Sequence, residues 1–322
     1  MKNKYLIEAY NPEDWLFNLN DGTEEVHQFT MPEGSRMKNE CSDTVYKQGD
    51  HVNYHIHEKG CETFYIAKGS VEVTVRGKRC IITQGDILHL PPNTAHGFTY
   101  LEDGTVWREL FHDIDMAGGT INKNWIKDHY PGMYEEPQFR AWYLGKIKNF
   151  PREEPVHVKQ VDKEEVREVR SHDFGFSTFV FDKAVFRQKV GRWETDNVHE
   201  IWMGTMDLGV RMEWKRPYDE SNLFFVAKGS VRFRVMDEEF VASADSIVHI
   251  PKFTTFSFEV MEDGTELFDY GCTARMLDLL EDYDALISRD AHYFDDAKVK
   301  ETFLHKYECY ITGTNLVYSH CE

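Results

Sequence analysis

The stretch GDHVNYHIHEKGCETFYIAKG, residues 49–69, decides how this sequence folds. It is rich in Val, Ile, Tyr, Phe and Thr between glycine breaks, which predicts successive β-strands. His55 and His57 lie two residues apart, so on a strand both imidazoles point to one face. Glu62 begins the next predicted strand, and His96 follows a Pro-Pro-Asn-Thr turn after a third. Three imidazoles and one carboxylate suit one divalent transition metal, whether Fe, Mn, Ni, Zn or Cu.

The same stretch resembles the first sequence motif of the cupin superfamily. That motif is a glycine, a His-x-His pair, a glutamate and a second glycine at fixed spacing. This sequence matches it without deviation at Gly49, His55, His57, Glu62 and Gly69. The resemblance implies a jelly-roll β-barrel in which His55, His57 and Glu62 bind the metal.

A second segment, GDILHLPPNTAH at residues 85–96, resembles the second cupin motif less fully. Gly85, Pro91 and His96 match, which makes His96 the fourth implied ligand. Asn93 stands where the family prefers Gly, and Tyr100 stands where the family often has Asn. Neither departure affects a ligand, since Asn tolerates the positive φ that makes Gly useful in turns.

The sequence also repeats itself at an offset of 160 residues. FYIAKGSV at residues 64–71 returns as FFVAKGSV at 224–231, and ILHLP at 87–91 returns as IVHIP at 247–251. Self-similarity at a fixed period indicates duplication of a structural unit. We therefore expect an all-β fold of two tandem cupin barrels, over roughly residues 40–112 and 200–272.

The repeat separates positions needed for folding from positions needed for chemistry. The four implied ligands align with Lys215, Pro217, Asn222 and Phe256, so we expect the second barrel to lack the metal. His89 recurs as His249 where no metal can bind, which makes it a structural histidine in this interpretation.

Four segments are expected along the chain. Residues 1–115 form the metal-binding barrel, 116–170 a connecting segment with a short helix at 162–170, 171–272 the second barrel and 273–322 a helical extension. The connecting segment mixes Gly, Pro and aromatic residues without a clear period, whereas the extension has helical spacing of its apolar residues.

Composition limits the classes of partner. The chain has 322 residues and a formal net charge of −19, which argues against nucleic acid and anionic membranes. It has no long apolar run and no signal-peptide core at its start, so we expect a cytoplasmic protein with a small-molecule substrate. Its six cysteines form no C-x-x-C pair and are expected to be free thiols. Exposed sheet edges could pair into a homodimer.

Strand alternation predicts what lines the cavity around the metal. It places Asn53 and His51 beside His55, and Phe98 and Tyr100 beyond His96. Tyr100 is then the best candidate acid or hydrogen-bond donor. Further from the ligands this reasoning weakens, and Arg76, Arg108 and Glu109 are left as open alternatives for the lining.

Three classes of function remain open. A dioxygenase acting on a small enol, aromatic or carboxylate substrate is favoured, because three His and one Glu resemble the ligand set of quercetinase-like bicupins. In this hypothesis Glu62 is both ligand and base, and Glu62 or Tyr100 takes or holds the proton. A non-redox isomerase, lyase or decarboxylase would use the metal to polarise a carbonyl. The third class binds a small ligand without turnover.

Overall fold

A computed structural model describes residues 5–7, 15–19, 24–30, 39–114, 116–215, 222–251, 254–272, 276–306 and 310–314. The chain divides into two compact units. The N-terminal unit spans Tyr10–Asp173, and the C-terminal unit combines Met1–Ala9 with Phe174–Glu322. No helix in the described ranges is long and apolar enough to cross a membrane.

Strand β1 (Leu6–Ile7) belongs to the C-terminal unit, and the strands that follow build the N-terminal one. These are β2 (Trp15–Leu19), β3 (Glu24–Thr30), β4 (Asn39–Tyr46), β5 (His51–His57), β6 (Cys61–Lys68), β7 (Ser70–Val75), β8 (Lys78–Thr83), β9 (Ile87–Leu90), β10 (His96–Tyr100) and β11 (Thr105–His112).

Three helices and three short strands then complete the N-terminal unit. They are α1 (Met116–His129), α2 (Pro131–Glu135), α3 (Pro137–Lys146), β12 (Asn149–Pro151), β13 (Lys159–Gln160) and β14 (Val169–Arg170). Residues 116–146 are called the first helical layer below.

The N-terminal unit contains two sheets, as expected of a jelly roll. One has the order β12-β5-β10-β7-β8-β13 and the other β14-β9-β6-β11-β4-β3-β2. Along β7, Val71, Val73 and Val75 are buried and alternate with half-buried polar residues, so one face meets the core. That core lies between the sheets and includes Phe64 and Trp107.

The C-terminal unit repeats this architecture. Its strands are β15 (Thr178–Phe181), β16 (Ala184–Val190), β17 (Glu200–Met206), β18 (Arg211–Lys215), β19 (Asn222–Lys228), β20 (Ser230–Val235), β21 (Glu238–Ser243), β22 (Ile247–Ile250), β23 (Thr255–Val260), β24 (Thr265–Cys272) and β25 (Tyr310–Thr314). Helices α4 (Met276–Arg289) and α5 (Ala297–Lys306) precede β25. The fold class predicted from the sequence is confirmed, including the C-terminal helices; residues 276–306 are called the second helical layer.

The segment expected to be an irregular connection is mostly helical and follows the repeat. Helix α4 lies 160 residues after α1, and α5 lies 160 residues after α3, with the same bounds. Each leading helix is held by one repeated carboxylate: the Met116 N–H donates to Glu40 Oε2 at 2.9 Å, and the Leu277 N–H donates to Glu200 Oε2 at 3.2 Å. The duplicated unit is therefore a barrel with a helical layer.

The short helix expected at residues 162–170 is reduced to one 3-10 turn, at Lys163–Glu165. Asp162 precedes it but makes no side-chain cap hydrogen bond. Two residues of the segment, Val169 and Arg170, instead pair with β9 as β14. Pairing with β9 provides hydrogen-bond partners for backbone N–H and C=O groups that would have bonded to each other within a longer helix.

In each unit a short strand that is distant in sequence pairs with the edge of a sheet. In the N-terminal unit β14 pairs with β9, where Val169 lies opposite Leu88. In the C-terminal unit β1 pairs with β22, where Leu6 lies opposite Val248. Leu88 and Val248 are equivalent in the repeat, so the same edge receives an added strand in both units.

One glycine recurs because the fold requires it. Gly69 has φ +83°, and a Cβ there would lie 2.5 Å from Thr105 Oγ1. Gly229 has φ +78° and meets Thr265 in the same way. A side chain at either position would be strained by both its backbone angle and the contact.

Candidate metal centre

Two paired strands of one sheet and one strand of the other sheet bring the four predicted ligands together. His55 and His57 lie at the end of β5, Glu62 near the start of β6 and His96 at the start of β10. His96 pairs directly with His55 across the sheet. One ligand atom from each of the four side chains lies within 4.8 Å of all the others. The four residues form a metal-binding group.

The distances within this group are short and regular. His55 Nε2 lies 3.1 Å from His57 Nε2. The two carboxylate oxygens of Glu62 lie 3.1 Å from His57 Nε2 and 3.1 Å from His96 Nε2. The four side chains are buried, with between 1% and 5% of each residue exposed.

The backbone selects which nitrogen of each histidine faces the centre. His55 Nδ1–H donates to the Asn53 carbonyl and His96 Nδ1–H to the Thr94 carbonyl, each at 2.7 Å. In a neutral ring the other nitrogen then carries a lone pair, so Nε2 of both rings can bind a cation. His96 Nε2 and Glu62 Oε2 are buried and form no hydrogen bond. Such atoms fit a bound divalent metal.

Burial and mutual charge set the protonation of the group. Burial, reinforced by His96, lowers the pKa of His55 to about 3. Burial also lowers the pKa of His57, but the Glu62 carboxylate more than offsets it and the net pKa is raised. Burial raises the pKa of Glu62, whereas His57 and His96 hold it well below its usual range. At neutral pH the group offers an ionised carboxylate and a neutral His55.

Acidification is expected to release the metal, because protons compete for His57. A raised His57 pKa means that this competition begins at a higher pH than for an ordinary imidazole, while His55 stays neutral down to about pH 3. Each competing proton weakens the apparent affinity about tenfold per pH unit below the pKa. Titration against a chromophoric chelator between about pH 5 and 8 measures this slope. An affinity that stays flat over that range would contradict the protonation described.

A β-bulge corrects the expected positions of His51 and Asn53. On β10 two steps separate His96 from Phe98, but on β5 three steps separate their partners His55 and Val52. The extra residue reverses which side chains face inward. Val52 therefore packs against the core, and His51 and Asn53 are exposed. Neither residue lines the cavity.

Gly97 allows the bulge to form close to β10. A Cβ at this position would lie 3.1 Å from the Val52 carbonyl oxygen and 3.3 Å from Tyr54 Cα. A side chain there would require the backbone of the bulged strand to shift by a few tenths of an ångström. A glycine directly after a metal ligand thus keeps the two ligand strands in contact.

Tyr100 is fully buried but stands apart from the ligands. It lies four residues beyond His96 on the same strand, a distance of roughly 13 Å between Cα atoms. Phe98 lies between them. The Tyr100 ring stacks on Tyr46 with 3.6 Å between ring centroids and meets the edge of Trp107 at 5.2 Å. The structure therefore places Tyr100 in the aromatic core of the barrel.

The interior next to the ligands is aromatic. Phe64 and Phe98 contact each other at 5.6 Å between centroids, and His96 stacks against Phe98 at 5.1 Å. Trp107 stacks on Phe64 at 4.1 Å, and Phe111 meets Phe64 edge-on at 6.0 Å. Such a wall suits an apolar, ring-containing ligand and excludes water.

The sequence left three residues as alternatives for the lining of the cavity, and in the structure these three residues have different surroundings. Arg76 is largely exposed and lies near Glu168. Arg108 faces away from the interior and binds both oxygens of Asp43 at 2.7 Å. Glu109 faces the interior with Trp107, whose Nε1–H donates to Glu109 Oε1 at 2.7 Å. The alternation of Trp107, Glu109 and Phe111 was the only sequence signal for this buried carboxylate.

The described part of the second barrel holds no comparable group of ligands. Lys215 and Phe256 occupy two ligand positions, and Pro217 lies outside the described residues. Asn222, at the position of Glu62, is buried and donates from Nδ2 to Asp269 at 2.8 and 3.0 Å. His89, the histidine that recurs, lies outside the metal-binding group. Its Nδ1 forms a hydrogen bond of 2.8 Å with Thr63 Oγ1.

Comparison with known families agrees with this geometry. The model of the Cupin domain family matches residues 43–106, which include all four ligands. The N-terminal unit contains a cupin domain. Quercetin 2,3-dioxygenase of Bacillus subtilis is 37% identical over 94 residues, 29% of this chain and 22% of that protein. The chain thus matches less than a quarter of the length of this curated relative.

Solved structures extend the likeness to both units. A variant of Bacillus subtilis oxalate decarboxylase matches with a TM-score of 0.51 and 14% identity, covering 85% of this chain and 78% of that one. Oxalate decarboxylase of Lactobacillus farciminis, solved with formate, matches with a TM-score of 0.51 and 14% identity, covering 83% and 85%. At this identity the likeness shows the fold, a bicupin of two cupin barrels in one chain.

Proposed function

We propose that the protein is a metal-dependent dioxygenase acting on a small enol or hydroxylated aromatic substrate. The observation that carries this proposal is the buried group of three histidines and Glu62 facing an aromatic interior. The similarity of the cupin domain to a quercetin dioxygenase supports it. A bound divalent metal would supply a Lewis acid able to coordinate a substrate oxygen.

The residues of the chain have separate tasks in this proposal. His55, His57 and His96 would hold the metal through Nε2, oriented by the backbone carbonyls that accept from Nδ1 of His55 and His96. Glu62 is both a ligand and the base that takes the hydroxyl proton of the substrate. Phe64 and Phe98 hold the ring of the substrate and keep water out.

Glu62 can combine the roles of ligand and base because His57 and His96 keep it ionised and its two oxygens lie beside different histidines. Oε1 lies beside His57 and Oε2 beside His96, each at 3.1 Å. One oxygen can therefore bind the metal while the other accepts a proton from a substrate hydroxyl. A Glu62→Gln variant keeps the shape and one oxygen but cannot take the proton.

Oxygen consumption tests the proposal directly. Metal-loaded protein is mixed with candidate enols and flavonols, and oxygen uptake is followed with an electrode alongside product formation. We expect uptake only with metal present and loss of uptake in Glu62→Gln. Turnover that continues without oxygen would replace the proposal with a non-redox isomerase, lyase or decarboxylase. Binding with no turnover would leave a ligand-binding protein.

Tyr100→Phe is expected to change kcat less than tenfold. A catalytic proton donor typically contributes about 10²–10⁴-fold, but Tyr100 lies beyond Phe98 and stacks within the core. Tyr46→Phe, on the other ring of the stack, is the matched control for packing. A loss of kcat above 100-fold in Tyr100→Phe alone would restore the sequence-based proposal that Tyr100 moves a proton.

Three further expectations stay predictions: a small-molecule substrate, a cytoplasmic location and a homodimer. The buried ligand group and the aromatic wall support the first.

A further inference from the structure

The interior of the second barrel contains buried polar side chains without hydrogen-bond partners. Gln188 on β16 is completely buried, and neither Oε1 nor Nε2 of its amide has a partner among the described residues. Asn222 on β19 is 1% exposed, and within the same ranges its Oδ1 has no partner either. Such atoms are rare in folded proteins, because leaving them without hydrogen bonds costs free energy. The three atoms therefore indicate a bound polar molecule.

Both side chains face the inside of the barrel. Gln188 lies two residues after Phe186, and Asn222 lies two residues before Phe224. Both phenylalanines belong to the buried core of this barrel. Residues two apart on a strand share a face, so the two amides point toward the same core. The irregularity in the pairing of β16 with β17 begins after Gln188 and does not reverse its face.

The strand pairing gives the spacing of the two amides. Gln188 lies opposite Trp202 on β17, and Trp202 lies opposite Asp269 on β24. Two strand spacings place the Cα atoms of Gln188 and Asp269 roughly 10 Å apart. Asn222 reaches the Asp269 end, because its Nδ2 donates to the two Asp269 oxygens at 2.8 and 3.0 Å. The atoms without partners thus lie at two ends of one inner surface, with Trp202 between them.

Two of these residues distinguish the second barrel from the first. Trp202 stands where the first barrel has Ser42, and Asn222 stands where it has Glu62. The glutamine at 188 recurs in the first barrel and belongs to the duplicated unit. Ser42 is not one of the metal ligands, so loss of the metal does not account for the indole. The second barrel therefore combines an inherited amide with an aromatic surface and a second amide of its own.

These side chains define the chemistry of a matching ligand. The Gln188 amide offers an acceptor beside a donor, which a ligand carboxamide complements with its own donor and acceptor. Asn222 Oδ1 accepts from a donor such as a hydroxyl or an amine. Trp202 offers the face of an indole to a ligand ring between the two amides. The Asp269 carboxylate borders the Asn222 end, where an anionic ligand would meet a like charge.

We propose that the second barrel binds a neutral aromatic carboxamide without a metal. The ligand amide pairs with Gln188, its ring lies against Trp202, and a hydroxyl or amine at its other end donates to Asn222 Oδ1. Helix α4 packs on the same core and would cover the ligand. The site lies in the C-terminal unit, whereas the metal centre lies in the N-terminal unit. Binding here does not depend on the reaction proposed for the metal centre.

Calorimetric titration of the metal-loaded protein with three probes tests the ligand class. We expect 4-hydroxybenzamide to bind with a dissociation constant below about 1 mM. Benzamide lacks the hydroxyl and should bind at least about tenfold more weakly, because Asn222 Oδ1 then stays without a donor. 4-Hydroxybenzoate carries a carboxylate in place of the amide and should also bind at least about tenfold more weakly, because it has no donor for the Gln188 oxygen.

Two variants locate the site. Gln188→Met replaces the amide with an apolar side chain of similar size and should weaken binding of 4-hydroxybenzamide at least about tenfold, with an unchanged circular dichroism spectrum. His57→Ala alters the other barrel and should bind this probe as the unaltered chain does. No binding by the unaltered chain would mean that buried water alone satisfies Gln188, and would overturn the proposal. Undiminished binding in Gln188→Met or lost binding in His57→Ala would do the same. Equal affinity for the three probes would also overturn it, whether or not Gln188→Met folds.

Discussion

His57→Ala and His96→Ala are each expected to lower bound metal from about one ion per chain to less than about a tenth of that. Loss of a residue that only orients a ligand weakens metal binding about 10- to 100-fold, and loss of the ligand itself should exceed that. Each substitution also leaves an oxygen of Glu62 without the imidazole 3.1 Å away. Elemental analysis of protein purified without chelator measures the metal content.

His51→Ala is the matched control for these variants. His51 lies on the same strand as His55 and His57 but is exposed. It should keep the full metal content. Two ions per chain in the unaltered protein would contradict the absence of a ligand group from the described part of the second barrel. Full metal content in His57→Ala would contradict the site itself.

Asp43→Ala is expected to destabilise the N-terminal unit by about 3–5 kcal/mol. Asp43 and Arg108 are completely buried and joined by two hydrogen bonds of 2.7 Å. Removing one partner of such a pair leaves the other charge buried without compensation. Urea unfolding followed by intrinsic fluorescence measures the loss.

Two further variants separate charge from packing. Asp43→Leu combined with Arg108→Met should recover most of the stability, because apolar replacement of both partners of a buried pair is often neutral or stabilising. Glu165→Ala breaks the exposed pair with Lys159 and should cost less than about 1 kcal/mol. An Asp43→Ala cost below 1 kcal/mol would mean that Arg108 finds another compensating group.

The sequence predicted the metal-binding group because the ligands lie beside glycines and turns that fix their geometry. His55 and His57 share a face by strand alternation alone. The bulge lies between Val52 and His55, so it does not disturb this pair. The turn before His96 returns the chain to β5, opposite His55. Strand alternation placed His55 and His57 on one face, and the resemblance to the two cupin motifs added Glu62 and His96 to the predicted group.

The prediction from strand alternation was wrong at Asn53, only two residues before His55. The position of a bulge depends on which strand lies opposite. Here the Val52 carbonyl approaches Gly97 closely, which is possible because Gly97 has no side chain. That contact joins residues far apart in sequence, so the exposure of His51 and Asn53 was not predictable from their own strand.

The helices of residues 116–146 were not predicted, for a different reason, whereas those of residues 276–306 were. Between residues 116–146 and 276–306 only Met116, Leu144 and Lys146 recur, at 276, 304 and 306. The surfaces of the two layers have diverged, and the apolar period is weak where Trp125 and Trp142 face solvent. The recurrence of Glu40 as Glu200, which holds the start of each layer, was the one available signal.

Because of the added edge strands β14 and β1, the partner strands of the two units become available at different times during synthesis. All residues of the N-terminal unit, including β14, have been made once residue 173 is added. Strand β1 is made before the N-terminal unit, yet its partner β22 follows about 240 residues later. At typical ribosomal rates this delay is roughly 10 to 50 s. Through that interval Leu6 and Ile7 lack their partners on β22, although all residues of the N-terminal unit have already been made.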